Sequence, residues 1–283
     1  MKKRIAVLLH KAQREHDLRD YLISHLAQIW RDDDLEVVFL SGPNHFVPAD
    51  LIIVHIDLSV VPDEYLGLAR QYPVTLNCAV TDIRKSMIST QRVTTTGDYG
   101  GKVLVKSNLN YGGVPDRKLA RLTEGKGRWR RLLTKLDGRL AQFDGRLSYR
   151  IYDRVERVPA RFFATDDFIV EKFVPEIEDG KYHVRQFEFL GDRFTCFRLA
   201  STHPIIRSRT ASEAEEVEPH RALFEIRRRL NLDYGKLDYV IHDDQPVLLD
   251  VEKTNVVRAF CTDKELIAKR RHHWAQGIYA YLR

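Results

Sequence analysis

Cysteine, long apolar runs and the common nucleotide and nucleophile signatures are scarce in this sequence. Its 283 residues include three cysteines, Cys78, Cys196 and Cys261, widely separated and in no CxxC pair. That pattern excludes a disulfide framework and a cysteine zinc site, and it predicts a reducing, cytoplasmic setting. The longest apolar run, Leu51 to Ile56, is interrupted by His55 and falls far short of the ~20 residues that span a bilayer. Near the N-terminus, the stretch Ile5 to Leu9 follows a basic start. It is shorter than the ~7–15 apolar residues of a secretory signal, and no small-residue cleavage site follows. A buried first strand is the expectation, and no membrane partner.

No GxGxxG follows that strand, so a dinucleotide fingerprint is missing. Gly97 to Lys102 (GDYGGK) approaches a P-loop, but three residues instead of four separate its outer glycines. Val103 also stands where a metal-binding hydroxyl is required. Neither a GxSxG elbow nor a Cys–His pairing offers a protein nucleophile.

What is present is a globular composition, 43% hydrophobic and 30% charged, which excludes a disordered chain. The length suggests roughly two domains. Lys and Arg number 46 against 40 Asp and Glu, a formal charge of +6. The excess is local: Arg117 to Arg146 holds ten Lys/Arg and three Asp/Glu, or +7, leaving about −1 elsewhere. One basic segment is therefore expected, not a basic coat. Trp129 and Phe143 are its only aromatics, too few for a single-strand stacking platform, so nucleic acid is disfavoured as a partner.

The apolar runs Ile5–Leu9, Leu35–Leu40, Leu51–Ile56 and Val74–Leu76 read as strands. Helical spacing over 17–30, with Asp17 as N-cap, and over 63–71 alternates with them. A parallel, doubly wound α/β unit follows from that alternation. Beyond Thr94 the texture changes to strands at 102–106, 161–163, 168–173, 183–190 and 193–200. A helix over 219–230 comes next, then strands 236–242 and 246–252 joined by a turn at Asp243-Asp244-Gln245, and a final helix over 264–282. The fold class is thus α/β followed by α+β, the second part with a mostly antiparallel sheet.

Three constellations carry chemistry. In KVLVKSNLNYGG, Lys102 to Gly113, a strand ends in Lys106 and a glycine-containing loop follows, able to bring backbone N–H groups to a phosphate. Alone, it is equally an exposed lysine before a turn. In DFIVEKFVPE, Asp167 to Glu176, an apolar strand runs into Glu171, Lys172, Phe173 and Val174. Such a connector can offer free backbone groups to a base edge; alone, it is equally a surface Glu–Lys pair. On the last hairpin, Asp250 and Glu252 are two apart and share a face, with Asp238 on the paired strand. Hard oxygen donors in such a group suit Mg²⁺ or Mn²⁺, although solvent-facing charges on an amphipathic hairpin give the same spacing.

Taken together and in this order, the three resemble the ATP-grasp superfamily, which includes D-alanine–D-alanine ligase and the RimK-like peptide ligases. The resemblance covers roughly Val103 to Asn255. It implies an α/β pre-ATP-grasp domain over 1–95 and an ATP-grasp region over 96–283, with 117–146 as a basic insert or lid over the nucleotide cleft. It further implies ATP contact by Lys106, Glu171, Lys172, Phe173 and Val174, with Lys85 as the other ATP lysine. Catalytic, phosphate-facing roles fall to Arg185 and Arg198, and metal ligation to Asp238, Asp250 and Glu252.

Two departures stand out. Where the family's last metal strand ends acid–x–Asn, this one reads Asp250-Val251-Glu252, placing a carboxylate at the neutral ligand's position. Lys85 precedes Lys106 by only 21 positions, so the subdomain between them is abbreviated. The resemblance implies an ATP- and Mg²⁺-dependent ligase (with Mn²⁺ as the alternative metal) joining a small carboxylate to an amine through an acylphosphate. The competing expectations are an ATP-dependent phosphotransferase and a nucleotide-binding or regulatory protein with a weakened metal site.

Overall fold

Two apolar runs, Ile5–Leu9 and Leu51–Ile56, lie side by side in a parallel sheet, where both faces of a strand are buried. In the computed structural model, residues 2–94, 99–123, 149–206, 210–257 and 263–282 are described. Most of the basic segment, 124–146 of 117–146, lies outside them, as does Cys261. By contacts the chain divides into two compact units, Met1–Asp82 with Pro175–Arg283, and Ile83–Val174.

The first unit opens with β1 (Arg4–Leu9), β2 (Glu36–Ser41), β3 (Leu51–His55) and β4 (Thr75–Leu76), parallel in the order β2-β1-β3-β4. Alternate residues of β1 serve two cores. Ile5, Val7 and Leu9 pack with Leu22, Leu26 and Trp30 of the helix Leu22–Asp32, while Ala6 and Leu8 pack with Tyr65, Leu66 and Ala69 of the helix Asp63–Ala69. The sheet is therefore covered on both sides, as a doubly wound unit requires.

Helix formation begins later than Asp17. Residues Glu15–Leu18 make a 3-10 turn, and Tyr21 is extended (φ −92°, ψ 141°) before the helix starts at Leu22. The interruption is tertiary: Tyr21 bridges Val256, and the amide of Leu22 donates to the Asn255 carbonyl at 2.8 Å. A segment more than two hundred residues away thus takes one donor, Leu22 N, and one acceptor, Asp20 O (from Val257 N at 2.8 Å), that a continuous helix would have used.

The same unit holds a six-stranded antiparallel sheet. Its strands are β8 (Glu176–Glu178), β9 (Lys181–Leu190), β10 (Arg193–Ser201), β11 (Glu213–Glu216), β12 (Tyr234–His242) and β13 (Gln245–Glu252), in the order β11-β10-β9-β12-β13 with β8 on β9. The last hairpin closes on two residues, Asp243 and Asp244, both left-handed (φ 48° and 57°). Gln245 already pairs with His242, so the turn is one residue tighter than its sequence suggests, as a primed hairpin turn demands.

Parallel and antiparallel sheets are tied by Asn77. Fully buried, it donates to Tyr234 O (2.7 Å) and accepts from the amides of Asp233 and Tyr234 (2.9 and 3.1 Å). The helix Lys264–Ala275 joins the same core through Trp274, and Ala275 O accepts from Trp30 Nε1 at 3.0 Å. This helix ends at Ala275, and a 3-10 segment Gln276–Ala280 replaces its expected continuation to Leu282. There a Cβ on Gly277 would lie 1.9 Å from Leu190 O; only glycine permits so close a backbone approach.

The second unit, Ile83–Val174, holds a three-stranded antiparallel sheet of β5 (Val103–Ser107), β6 (Tyr149–Tyr152) and β7 (Phe168–Lys172) in the order β6-β5-β7. Its core is Val93, Val103, Val105, Val155, Val158 and Val170. The expected strand at 161–163 is instead a 3-10 turn, Ala160–Phe162, entered from Pro159, which cannot donate to a ladder.

Candidate functional site

In the Ile83–Val174 unit, the chemistry gathers at the end of β5. Leu104 pairs with Glu171 and Lys106 with Ile169, so Lys106 and Glu171 share a face on neighbouring strands. Their side chains meet with Nζ 2.6 Å from Oε2, at 2% and 5% exposure. The other Glu171 oxygen is buried without a hydrogen-bond partner among the described residues. Two opposite charges this deep offset each other's desolvation, and removal of the lysine leaves a buried carboxylate without its ion pair.

The chain then turns through Asn110–Gly113, where Tyr111, Gly112 and Gly113 are all left-handed (φ 45°, 64° and 70°). It enters the helix Val114–Thr123 directly, giving a glycine-containing loop at a helix N-terminus. Asn108 braces it. Its side chain accepts from Ser86 N and donates to Asp166 O, each at 2.8 Å, and its amide donates to Asp167 O at 2.9 Å. Lys85, in the short helix Lys85–Ile88, is 1% exposed and its Nζ lies 3.3 Å from Leu109 O. Lys85, Lys106 and Glu171 are thus held in one unit, around one loop.

Two of the connector amides are already paired. Lys172 N donates to Gln91 O and Phe173 N to Lys102 O, each at 2.8 Å. Lys172 Nζ lies over the Tyr99 ring, 5.2 Å from its centroid.

The expected metal ligands are in the other unit, on β12 and β13. Asp238 lies opposite Asp250, and Lys236 opposite Glu252. On the other side of β12, Lys236 faces Glu188 and Asp238 faces Gln186. Residues opposite one another in a ladder share a face, so Glu188, Lys236, Asp238, Asp250 and Glu252 form one patch. Lys236 Nζ sits inside it, 3.2 Å from Asp238 Oδ1, 3.3 Å from Oδ2 and 3.4 Å from Glu252 Oε1. Burial pushes the carboxyl of Glu188 up to about 7 and that of Asp238 up to about 6, with Lys236 opposing both shifts. Burial would lower Lys236, but Asp238, Glu252 and Glu188 outweigh it and hold the ammonium above the ordinary lysine range.

Arg185 and Arg198 face the opposite side of this sheet. Arg185 pairs with Tyr239 on β12 and directly with Arg198 on β10, one residue out of phase with Gln186 and Asp238. Their charge is met by Glu176. Its carboxylate accepts from Arg185 Nη2 (2.8 Å) and Arg198 Nε (3.1 Å), and it also accepts from Ile241 N at 2.8 Å. Burial would raise Glu176, but these donors prevail and hold it below the usual carboxylate range. Arg198 also pairs with Glu178 and, at 3.4 Å, with Glu215. The phosphate-facing arginines and the metal-ligating Asp238, Asp250 and Glu252 that the resemblance implies thus lie on opposite faces of this sheet.

Protein-family models and curated proteins return no match to this sequence. Solved structures do. A RimK-domain ATP-grasp protein from Sphaerobacter thermophilus aligns with a TM-score of 0.50 and 14% identity over 99% of both chains. D-alanine–D-alanine ligase from Bacillus anthracis, complexed with ATP, aligns with a TM-score of 0.50 and 12% identity over 99% of this chain and 96% of its own. This chain has the ATP-grasp fold.

The oxygen donors are of the right kind for a divalent metal, but their arrangement does not fit. Among the described residues, no three His, Cys, Asp or Glu side chains come together to hold a metal ion. The centre of the patch is taken by Lys236, at nitrogen–oxygen distances of 3.2–3.4 Å. Sequence reasoning missed Lys236, Glu188, Glu176 and Asn108. For Lys236 the signal was available, since Lys236, Asp238 and Glu252 alternate in phase on one hairpin. Glu176 and Glu188 needed the register of β9 against β8 and β12, which no local pattern reports.

No helix among the described residues is long and apolar enough to cross a membrane.

Proposed function

We propose that this chain is an ATP-dependent carboxylate–amine ligase, with its nucleotide held in the Ile83–Val174 unit. The observation that carries the reading is the buried Lys106–Glu171 pair, 2.6 Å apart, beside a left-handed loop that opens a helix. In an ATP-grasp fold this arrangement supports phosphate at Lys106, Lys85 and the loop, and the base at Glu171 and the connector Lys172-Phe173-Val174, through groups other than the paired amides of Lys172 and Phe173.

An acceptor carboxylate oxygen attacks the γ-phosphorus, the bond to ADP breaks, and an acylphosphate forms. An amine nitrogen then attacks the acyl carbon, phosphate leaves, and the nitrogen gives up a proton. No protein nucleophile is required. The chain's contribution is to orient the nucleotide and offset the charge spreading over the transferred group. Arg185 and Arg198 remain candidates for anion contact, provided Glu176 yields to the incoming charge.

A second reading, a nucleotide-binding regulatory protein, is favoured by Lys236 among the carboxylates. The two separate in one experiment: ADP release is followed with ATP, Mg²⁺ or Mn²⁺, and panels of small carboxylates and amines. ADP formation that needs both a carboxylate and an amine supports the ligase. Transfer to an acceptor without amide formation supports a phosphotransferase instead. Saturable ATP binding without turnover supports the regulatory reading, and no ATP binding overturns all three.

A further inference from the structure

We propose that Lys236 is the resident cation of the carboxylate patch, filling the place that a divalent ion would otherwise take. The ladder puts Lys236 between two glutamates, Glu188 across β9 and Glu252 across β13. Asp238 follows two residues on, sharing the face and lying opposite Asp250. The ammonium touches both oxygens of Asp238 and one of Glu252 at 3.2–3.4 Å, with 11% of the lysine side chain exposed against 19% for Asp238 and 18% for Glu252.

Those distances distinguish the two kinds of cation. A magnesium ion holds its oxygens at roughly 2.0–2.1 Å and demands near-octahedral placement. Around Lys236 the oxygens stand more than 3 Å from the central atom, the spacing of an ammonium. To admit Mg²⁺ or Mn²⁺ the carboxylates would have to close by about 1 Å, and Lys236 would have to leave a buried position with its charge. Because the lysine is part of β12, it competes at every metal concentration and cannot be chelated away. Glu252, the carboxylate at the neutral ligand's position, is one of the two acids that the ammonium touches, and its negative charge helps to hold the lysine protonated in this buried place.

The inference does not depend on nucleotide binding and is tested with metal alone. Mn²⁺ is titrated onto the intact protein without ATP, and free ion is followed by its electron paramagnetic resonance signal. Wild type is expected to bind no stoichiometric Mn²⁺. Lys236→Met keeps the chain length and removes the charge. It should gain one site at least about a hundredfold tighter than any in wild type, since a unit charge this close is removed. Adding Asp238→Asn to that variant should abolish the new site. Lys236→Arg, which keeps the charge, should bind none. Stoichiometric Mn²⁺ binding by wild type that is lost in Asp238→Asn would overturn the proposal, a result that needs no lysine variant to fold. A folded Lys236→Met that gains no site would overturn it equally.

Discussion

Arg185 and Arg198 lie directly opposite one another on β9 and β10, and the two guanidinium groups share one carboxylate, that of Glu176. Two like charges paired across a ladder repel. Here a third strand, β8, supplies the counter-charge at 9% exposure. The arginines are therefore built into the sheet as a triad.

Replacing Glu176 by Gln removes the carboxylate and keeps the shape. The expected loss is about 2 kcal/mol of unfolding free energy, since both arginines keep partial access to water. Urea denaturation checks it. The native state holds the Glu176 pKa below its unfolded value, so its contribution is present above the ordinary carboxylate range and is lost as pH falls through the native value. The gap between Glu176→Gln and wild type should narrow in acid.

Lys106→Ala should cost roughly 3 kcal/mol, because Glu171 is left buried and unpaired, and ATP affinity should vanish. Lys106→Met combined with Glu171→Gln should recover most of the stability and none of the affinity. A double-mutant cycle by chemical denaturation, alongside ATP calorimetry, separates the two effects. Unchanged ATP affinity in Lys106→Ala would remove this lysine from the nucleotide site.

Glu188 titrates near 7 in the native state against an ordinary 4.5. A carboxyl raised in this way binds its proton more tightly when folded. Its contribution is complete below about pH 4.5 and is lost as pH rises through about 7. Glu188→Gln should flatten the stability profile across that window, as read from urea midpoints at successive pH values.

His55 is fully buried, and both its ring nitrogens lack a hydrogen-bond partner among the described residues. Burial, then Lys253, pushes its pKa down to about 3. The imidazole is neutral in the fold, so stability present above the ordinary value near 6.5 is lost as pH falls toward 3. His55→Phe should be neutral to stabilising at pH 8 and clearly stabilising at pH 5, because an apolar ring of similar shape has no proton to gain.

At Gly113 (φ +70°), a Cβ would meet Leu109 Cδ1 at 2.8 Å. Gly113→Ala should therefore destabilise the loop by about 1–2 kcal/mol. It should weaken ATP binding more than it lowers the global unfolding midpoint, a difference seen by comparing calorimetry with denaturation.

Much of this protein is legible in its sequence, because the signals are local. Apolar runs such as Leu51–Ile56 mark strands buried on both faces, and their alternation with helical spacing determines a parallel α/β unit. Asp243 and Asp244 announce a tight hairpin because aspartate tolerates left-handed backbone. Lys106 before its loop and Glu171 before Pro175 are visible for the same reason, as strand-ending residues next to turn chemistry. Only the tertiary structure decided where the helix after β1 begins, since Asn255 and Val256 claim the backbone around Tyr21. It alone decided that Arg185 and Arg198 share Glu176, and that Glu188 joins the face on which Lys236 meets Asp238 and Glu252. Strand register sets those pairings, and a shift of one residue would send every side chain to the other face. Cross-strand charge balance comes from chain segments distant in sequence, so it becomes readable only when the sheet has formed.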